Sequence, residues 1–145
     1  QQDFNVVEEV SERVGISHLL GCYTTEVSAG EAQLAMLARA LAQQPSALIL
    51  DESTSNLDLA YVGRTFELLS KLNKQGITIL IVSHDLNLAA EFCPNVVWLN
   101  KGKILKSGSM SETLTNDLLL ELYGSGTRIE IGQNPYSKKP KVFWK

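Results

Sequence analysis

Two carboxylates, Asp51 and Glu52, close the apolar run Ala47-Leu48-Ile49-Leu50. A run so short and so uniformly apolar reads as a β-strand buried on both faces. The C-terminal end of such a strand is where an α/β sheet delivers residues to its ligand crevice. Adjacent carboxylates there can divide the work: the first holds a magnesium ion, often through water, and the second polarises an attacking water. A strand ending in Asp-Glu can equally be ordinary strand-end solvation, so the neighbouring motifs have to decide. Ser83-His84-Asp85 follows a second apolar, β-branched run at 77–82 and places an imidazole at another strand end. Upstream, Ser28-Ala29-Gly30-Glu31 pairs an N-cap serine with a glutamate three residues on, the pattern of a capping box. The exposed amides of a helix start favour negative charge. A polar loop, Ser53-Thr54-Ser55-Asn56-Leu57-Asp58, runs on from the carboxylate pair.

The elements that must position these groups alternate in type. Residues 3–20 read as an amphipathic helix with Val6, Val7, Val10 and Val14 on one face, stopped by Gly15. The helix opened by Ser28 runs to about Gln43, before Pro45. After the carboxylate strand comes a helix from about Leu59 to Lys74, with Val62, Phe66, Leu69 and Leu72 on one side and Gly76 closing it. A helix from Asp85 to about Cys93 is blocked by Pro94. Residues 96–99 and 103–106 form a hairpin around Asn100-Lys101-Gly102. A last helix covers 115–123, capped by Gly124. Strands alternating with helices predict an α/β domain with a largely parallel sheet.

Composition narrows the class further. The 145 residues are 44% hydrophobic and 20% charged, a globular balance. Neither long apolar run approaches the roughly 18–20 residues that span a bilayer. A formal net charge of −3 gives no general pull toward nucleic acid or anionic lipid. Cys22 and Cys93 form no CxxC pair, which argues against a zinc site or disulfide scaffold and fits a reducing compartment. The chain opens Gln1-Gln2-Asp3 without methionine, so it is expected to be a piece of something longer. Beyond Gly124 the character changes. Arg128, Lys138, Lys139, Lys141 and Lys145 against Glu130 make this tail basic, and 127–131 with 141–144 are expected to pair as a hairpin across Asn134-Pro135.

Taken in order, the segments Val27-Ser28-Ala29-Gly30-Glu31, Ala47-Leu48-Ile49-Leu50-Asp51-Glu52, Ser55-Asn56-Leu57-Asp58 and His84 resemble the C-terminal half of an ATP-binding-cassette (ABC) transporter ATPase. They correspond to that family's signature motif, Walker B strand, D-loop and switch histidine. Leu37-Ala38-Arg39-Ala40-Leu41-Ala42-Gln43 also looks like the family's signature helix. The resemblance covers about residues 5–123. His84-Asp85-Leu86-Asn87-Leu88-Ala89-Ala90, with Glu121-Leu122-Tyr123-Gly124, looks most like ATPases of iron-siderophore, haem and cobalamin importers.

That resemblance implies the C-terminal half of a P-loop (RecA-like) domain. Residues 1–45 would end the helical subdomain and supply the signature helix, 46–123 would form the C-terminal part of the ATPase core, and 124–145 would be a terminal tail. It implies ATP and magnesium as ligands, with Glu52 as general base, His84 on the γ-phosphate and Asp51 on the magnesium side. Ser28, Ala29, Gly30 and Glu31 would press on the ATP of a partner subunit, and Ser55 and Asp58 would belong to the loop at the dimer interface. The implied partners are a second ATPase subunit and transmembrane permease subunits at the inner face of the cell membrane, with no nucleic acid. Val27, Ala29 and Ser53 depart from the family's usual leucine, glycine and proline; the methyl of Ala29 narrows the approach of backbone to phosphate.

No Gly-x-x-x-x-Gly-Lys-Ser/Thr loop occurs in the 145 residues, so the phosphate cradle is absent from this chain, which alone is expected to be inactive. In the family's sheet the strand leading into that loop lies beside the one bearing His84. Its absence would leave an apolar edge, and the chain is expected to self-associate or to fill the gap with its own tail or a swapped segment. Two other readings are an ATPase head of a chromosome-maintenance or DNA-repair protein and a natural non-catalytic binding module. The first is disfavoured because no sustained heptads precede Val27.

Overall fold

The structure, a computed structural model, describes residues 2–52 and 58–144. Its contacts divide the chain into two compact units that meet between Val82 and Ser83.

In the first unit, α1 (Gln2–Val14) leads through a 3-10 turn (Ser17–Leu19) to α2 (Ala29–Leu41), β1 (Ala47–Asp51), α3 (Leu59–Lys74) and β2 (Thr78–Val82). The apolar spacing of each helix decides its buried face. Leu34, Leu37, Ala38 and Leu41 bury one stripe of α2, and Val62, Phe66, Leu69 and Leu72 bury the expected stripe of α3. On α1 the stripe is narrower than expected. Val10 is buried and Val6 and Val14 are half-buried, each four residues from the next, whereas Val7 lies a quarter-turn away and stays exposed.

Strands β1 and β2 pair in parallel, with Leu48 beside Ile79, Ile49 beside Leu80 and Asp51 beside Val82. The expectation of strands buried on both faces is corrected. Leu48 and Leu50 are buried, but Ile49 is 72% exposed and Leu80 54%. The apolar composition of both faces is real, yet the described residues cover only one of them.

The second unit runs α4 (Leu86–Phe92), β3 (Asn95–Asn100), β4 (Lys103–Ser109), α5 (Met110–Thr113), α6 (Asn116–Tyr123), β5 (Ile129–Gln133) and β6 (Pro140–Trp144). Among the described residues parallel pairing is confined to β1 and β2; β3–β4 and β5–β6 are antiparallel hairpins, as their turn residues led one to expect. Lys101 and Gly102, with φ of 48° and 76°, form the two-residue turn between β3 and β4, both in the left-handed conformation that matches strand twist. Trp98, Met110, Leu114, Leu118, Leu119 and Val142 close a core that β6 completes. Inside it the Trp98 indole N–H donates to Thr113 Oγ1 at 2.9 Å, and that hydroxyl donates to the Ser109 carbonyl at 2.8 Å. Among the described residues β5 and β6 pair only with each other.

Candidate functional site

Strand β1 ends at Asp51 in register with Val82, so the carboxylate strand and the strand that precedes Ser83-His84-Asp85 finish at the same level. Both carboxylates are exposed. Glu52 is held in the left-handed region at φ 44°, with its N–H donating to the Val82 carbonyl at 3.0 Å. For a residue with a side chain that conformation costs roughly 1–3 kcal/mol. The sheet thus extends one hydrogen bond past the last pair, and Glu52 stands directly beyond the strand end. Nothing in the Asp-Glu dipeptide itself gave warning of this backbone conformation.

The signature-like segment is built as a capping box. Ser28 Oγ accepts the Glu31 N–H at 3.3 Å, while Glu31 Oε2 accepts the Ser28 N–H at 2.8 Å and its hydroxyl at 2.7 Å. The Ser28 N–H is the foremost reason that the Glu31 carboxyl is held below its ordinary value; the Ser28 hydroxyl and His18, whose Nε2 is 3.5 Å from Oε1, add to it. The first-turn amides of Ala29 and Gly30 remain without intrahelical acceptors, as the start of any helix requires.

Asp58 works locally as N-cap of α3, accepting the Tyr61 N–H at 3.0 Å. Ser55 lies outside the described residues. His84, in the second unit, is exposed, and the next residue, Asp85, caps α4 by accepting the N–H groups of Asn87 and Leu88 at 2.9 and 3.0 Å. A groove of about 310 Å³ runs between α2 and β1, from Met36 and Arg39 to Ile49 and Asp51. Ser28 and Glu31 do not line it. Within the first unit, therefore, the signature turn and Asp51 are not gathered into one pocket. The groove's walls carry two buried oxygens without a hydrogen-bond partner, Gln33 Oε1 and Thr65 Oγ1. Sequence spacing had singled out neither.

Among the described residues no group of three or more His, Cys, Asp or Glu side chains is placed to hold a metal ion. Asp51 still suits magnesium, which is commonly held by one or two carboxylates together with waters and phosphate oxygens.

The family model described as "ABC transporter" matches residues 1–55. The chain is 37% identical, over 96% of its own length, to the iron(3+)-hydroxamate import ATP-binding protein FhuC of Bacillus subtilis (strain 168). It is 34% identical, over 98%, to the ferric enterobactin transport ATP-binding protein FepC of Escherichia coli (strain K12). The chain belongs to the ABC transporter family. It spans about half the length of the curated relatives it matches, 51% of FhuC and 52% of FepC. A solved ABC transporter, described as of metal-chelate type and inward-facing, superposes with a TM-score of 0.86 over 99% of this chain and 58% of its own, at 27% identity. The α/β fold is thus that of an ABC ATP-binding cassette over part of its length. Because that match reaches 99% of the chain, the second unit with its terminal hairpin falls within the shared architecture. The ABC chain has no described helix long and apolar enough to cross a membrane.

Proposed function

We propose that this chain carries the hydrolytic half of the ATP-binding subunit of an ABC importer, which couples ATP hydrolysis to uptake of an iron chelate or related cargo. The observation that carries this reading is Glu52, exposed and held at φ 44° directly beyond the parallel strand that ends in Asp51. The iron-chelate assignment draws on the names of the relatives that align over nearly the whole chain.

In this reading the Glu52 carboxylate accepts a proton from the water that attacks the γ-phosphorus of ATP. General-base assistance of this kind contributes typically about 10²–10⁴-fold. Asp51 is the residue that would hold magnesium, which when bound offsets phosphate charge. The His84 imidazole donates to a γ-phosphate oxygen as charge builds on it. The first-turn amides at Ala29 and Gly30 face the γ-phosphate bound by a second subunit, which fits their separation from the Asp51 groove. Ser55 and Asp58 lie at that same dimer junction. The phosphate cradle belongs to sequence beyond these 145 residues, so the chain alone is inactive. The complete subunit works as a dimer beneath transmembrane permease subunits, on the cytoplasmic face of the membrane.

The test is turnover by the full-length subunit. Glu52→Gln should keep ATP binding and lose hydrolysis by about 10²–10⁴-fold, and His84→Ala should lose turnover with nucleotide affinity kept. A Glu52→Gln rate within a factor of about two of the parent is incompatible with a general base at this position.

A further inference from the structure

The basic tail has a structural destination that its composition does not suggest. Helix α4 has seven residues, of which only Ala90 is buried. A helix so short is not stable by itself and has to be held by its surroundings. Asn87 provides one hold: its Oδ1 accepts the Val142 N–H at 2.8 Å and its Nδ2 donates to the Val142 carbonyl at 3.2 Å. These are the two hydrogen bonds a further strand would make with the outer edge of β6, and one side chain supplies both. Four residues on, and so on the same face of the helix, Glu91 provides a second hold. Its Oε2 accepts from Asn134 Nδ2 at 3.1 Å and from the Ser137 hydroxyl at 2.7 Å. The Lys139 ammonium donates to the Glu91 carbonyl and lies 3.9 Å from Oε1. Two holds a turn apart fix the rotation of α4 about its own axis.

The same Asn87 is tied on its other side to the segment that carries His84. Its backbone N–H donates to Asp85 Oδ1, and the Asp85 N–H donates to Ser83 Oγ at 3.0 Å. We propose that Asn87 is a positioning residue for His84, through which the terminal hairpin β5–β6 fixes the entry to α4 and thereby the place of the imidazole. Glu91 assists by holding the hairpin turn against the next turn of the helix. The proposal rests on the reading of His84 as the group that contacts the γ-phosphate. The tail lysine Lys139 accordingly serves α4 rather than an external anion.

The chain has two histidines, and His18 lies in the first unit, so it is an internal reference. In the imidazole NMR spectrum of the 145-residue chain, Asn87→Ala should move the His84 signal and leave the His18 signal in place. Glu91→Ala should do the same to a smaller extent, whereas Tyr136→Ser, at a position 93% exposed, should move neither. A His84 signal unchanged in both α4 variants overturns the proposal. Should Asn87→Ala unfold the second unit, seen as a change in Trp98 fluorescence, Glu91→Ala carries the same two outcomes. In the full-length subunit Asn87→Ala should lower kcat on the order of tenfold to a hundredfold with KM for ATP unchanged. It should add nothing in a His84→Ala background, and an additive loss contradicts action through His84. If His84→Ala leaves turnover intact, the γ-phosphate reading fails on that result, and the NMR comparison still decides whether the hairpin holds the histidine.

Discussion

Residues 2–82 leave Ile49 and Leu80 side by side on an outward face of β1–β2, whereas residues 83–144 fold Trp98, Leu118 and Val142 into one closed cluster. Both regions are built from apolar strands and amphipathic helices. Both leave apolar side chains outward, Val97, Leu99 and Ile104 in the second unit among them, and they differ in how the buried side is completed. The second unit recruits its own last strand, β6, to finish its core, and even the outer edge of that strand is met by Asn87. The first unit has no such provision among the described residues: one sheet face is apolar and open, and two buried oxygens beside its groove lack donors. Strands apolar on both faces belong to the middle of a sheet covered on both sides. The first unit is therefore shaped to receive more structure, and its chemically capable groups stand at the end of the strands that await it.

Substitutions can separate the two regions. Glu52→Gly in the full-length subunit should abolish hydrolysis by about 10²–10⁴-fold while unfolding stability stays within about 1 kcal/mol of the parent, because glycine relieves the left-handed backbone. A large stability loss would make Glu52 a structural residue and erase the contrast. Trp98→Ala in the closed unit should do the opposite. Removing a buried tryptophan, and with it the partner of Thr113, should destabilise by roughly 3–5 kcal/mol in thermal or denaturant unfolding. A cost under about 1 kcal/mol would mean the second core is not closed in the way described.

Ile49→Lys tests the open face. The 145-residue chain should self-associate in light scattering through this surface and through the edge of β2. The lysine should shift it toward monomer, at a cost to unfolding stability within about 0.5 kcal/mol. An unchanged assembly state would show that the face is not the sticky one. The smallest effect concerns pH. The Glu31 carboxyl is held below its ordinary value of 4.5, chiefly by the Ser28 N–H. Its contribution to stability is present above the unfolded value and is lost as pH falls through the lower, folded one. Glu31→Gln should therefore lower stability slightly at neutral pH, by an amount that stays constant above about pH 6 and shrinks toward zero as pH falls below about 4.5; a difference that grows as the pH falls would contradict the capping assignment.

Much of this was legible in residue types. The Ser28–Glu31 box, the stripe of α3 and the Lys101-Gly102 turn are local features, each set by residues a few positions apart, whereas the sequence had not marked Asp58 and Asp85 as the caps of α3 and α4. The terminal hairpin was legible too, from alternation around Asn134-Pro135. What could not be read are arrangements made between distant segments. The binding of Asn87 to Val142 spans 55 positions, and the Glu52 N–H is tied to the Val82 carbonyl thirty residues on. The open face of β1–β2 was misjudged for the same reason. An apolar strand announces that both its faces are meant to be covered, and says nothing of whether the covering lies in the same stretch of chain.

In the function proposed above, this chain presents groups for hydrolysis without the means to hold the phosphates. A single helix N-terminus such as that of α2 attracts an anion by about 0.3–1 kcal/mol. A dissociation constant of 0.1 mM requires about 5.5 kcal/mol. Titration calorimetry of the purified 145-residue chain with ATP in magnesium measures the difference directly. No heat of binding attributable to a constant tighter than millimolar is expected. Micromolar binding would contradict this and would require a phosphate site among these residues that neither the fold nor the sequence displays.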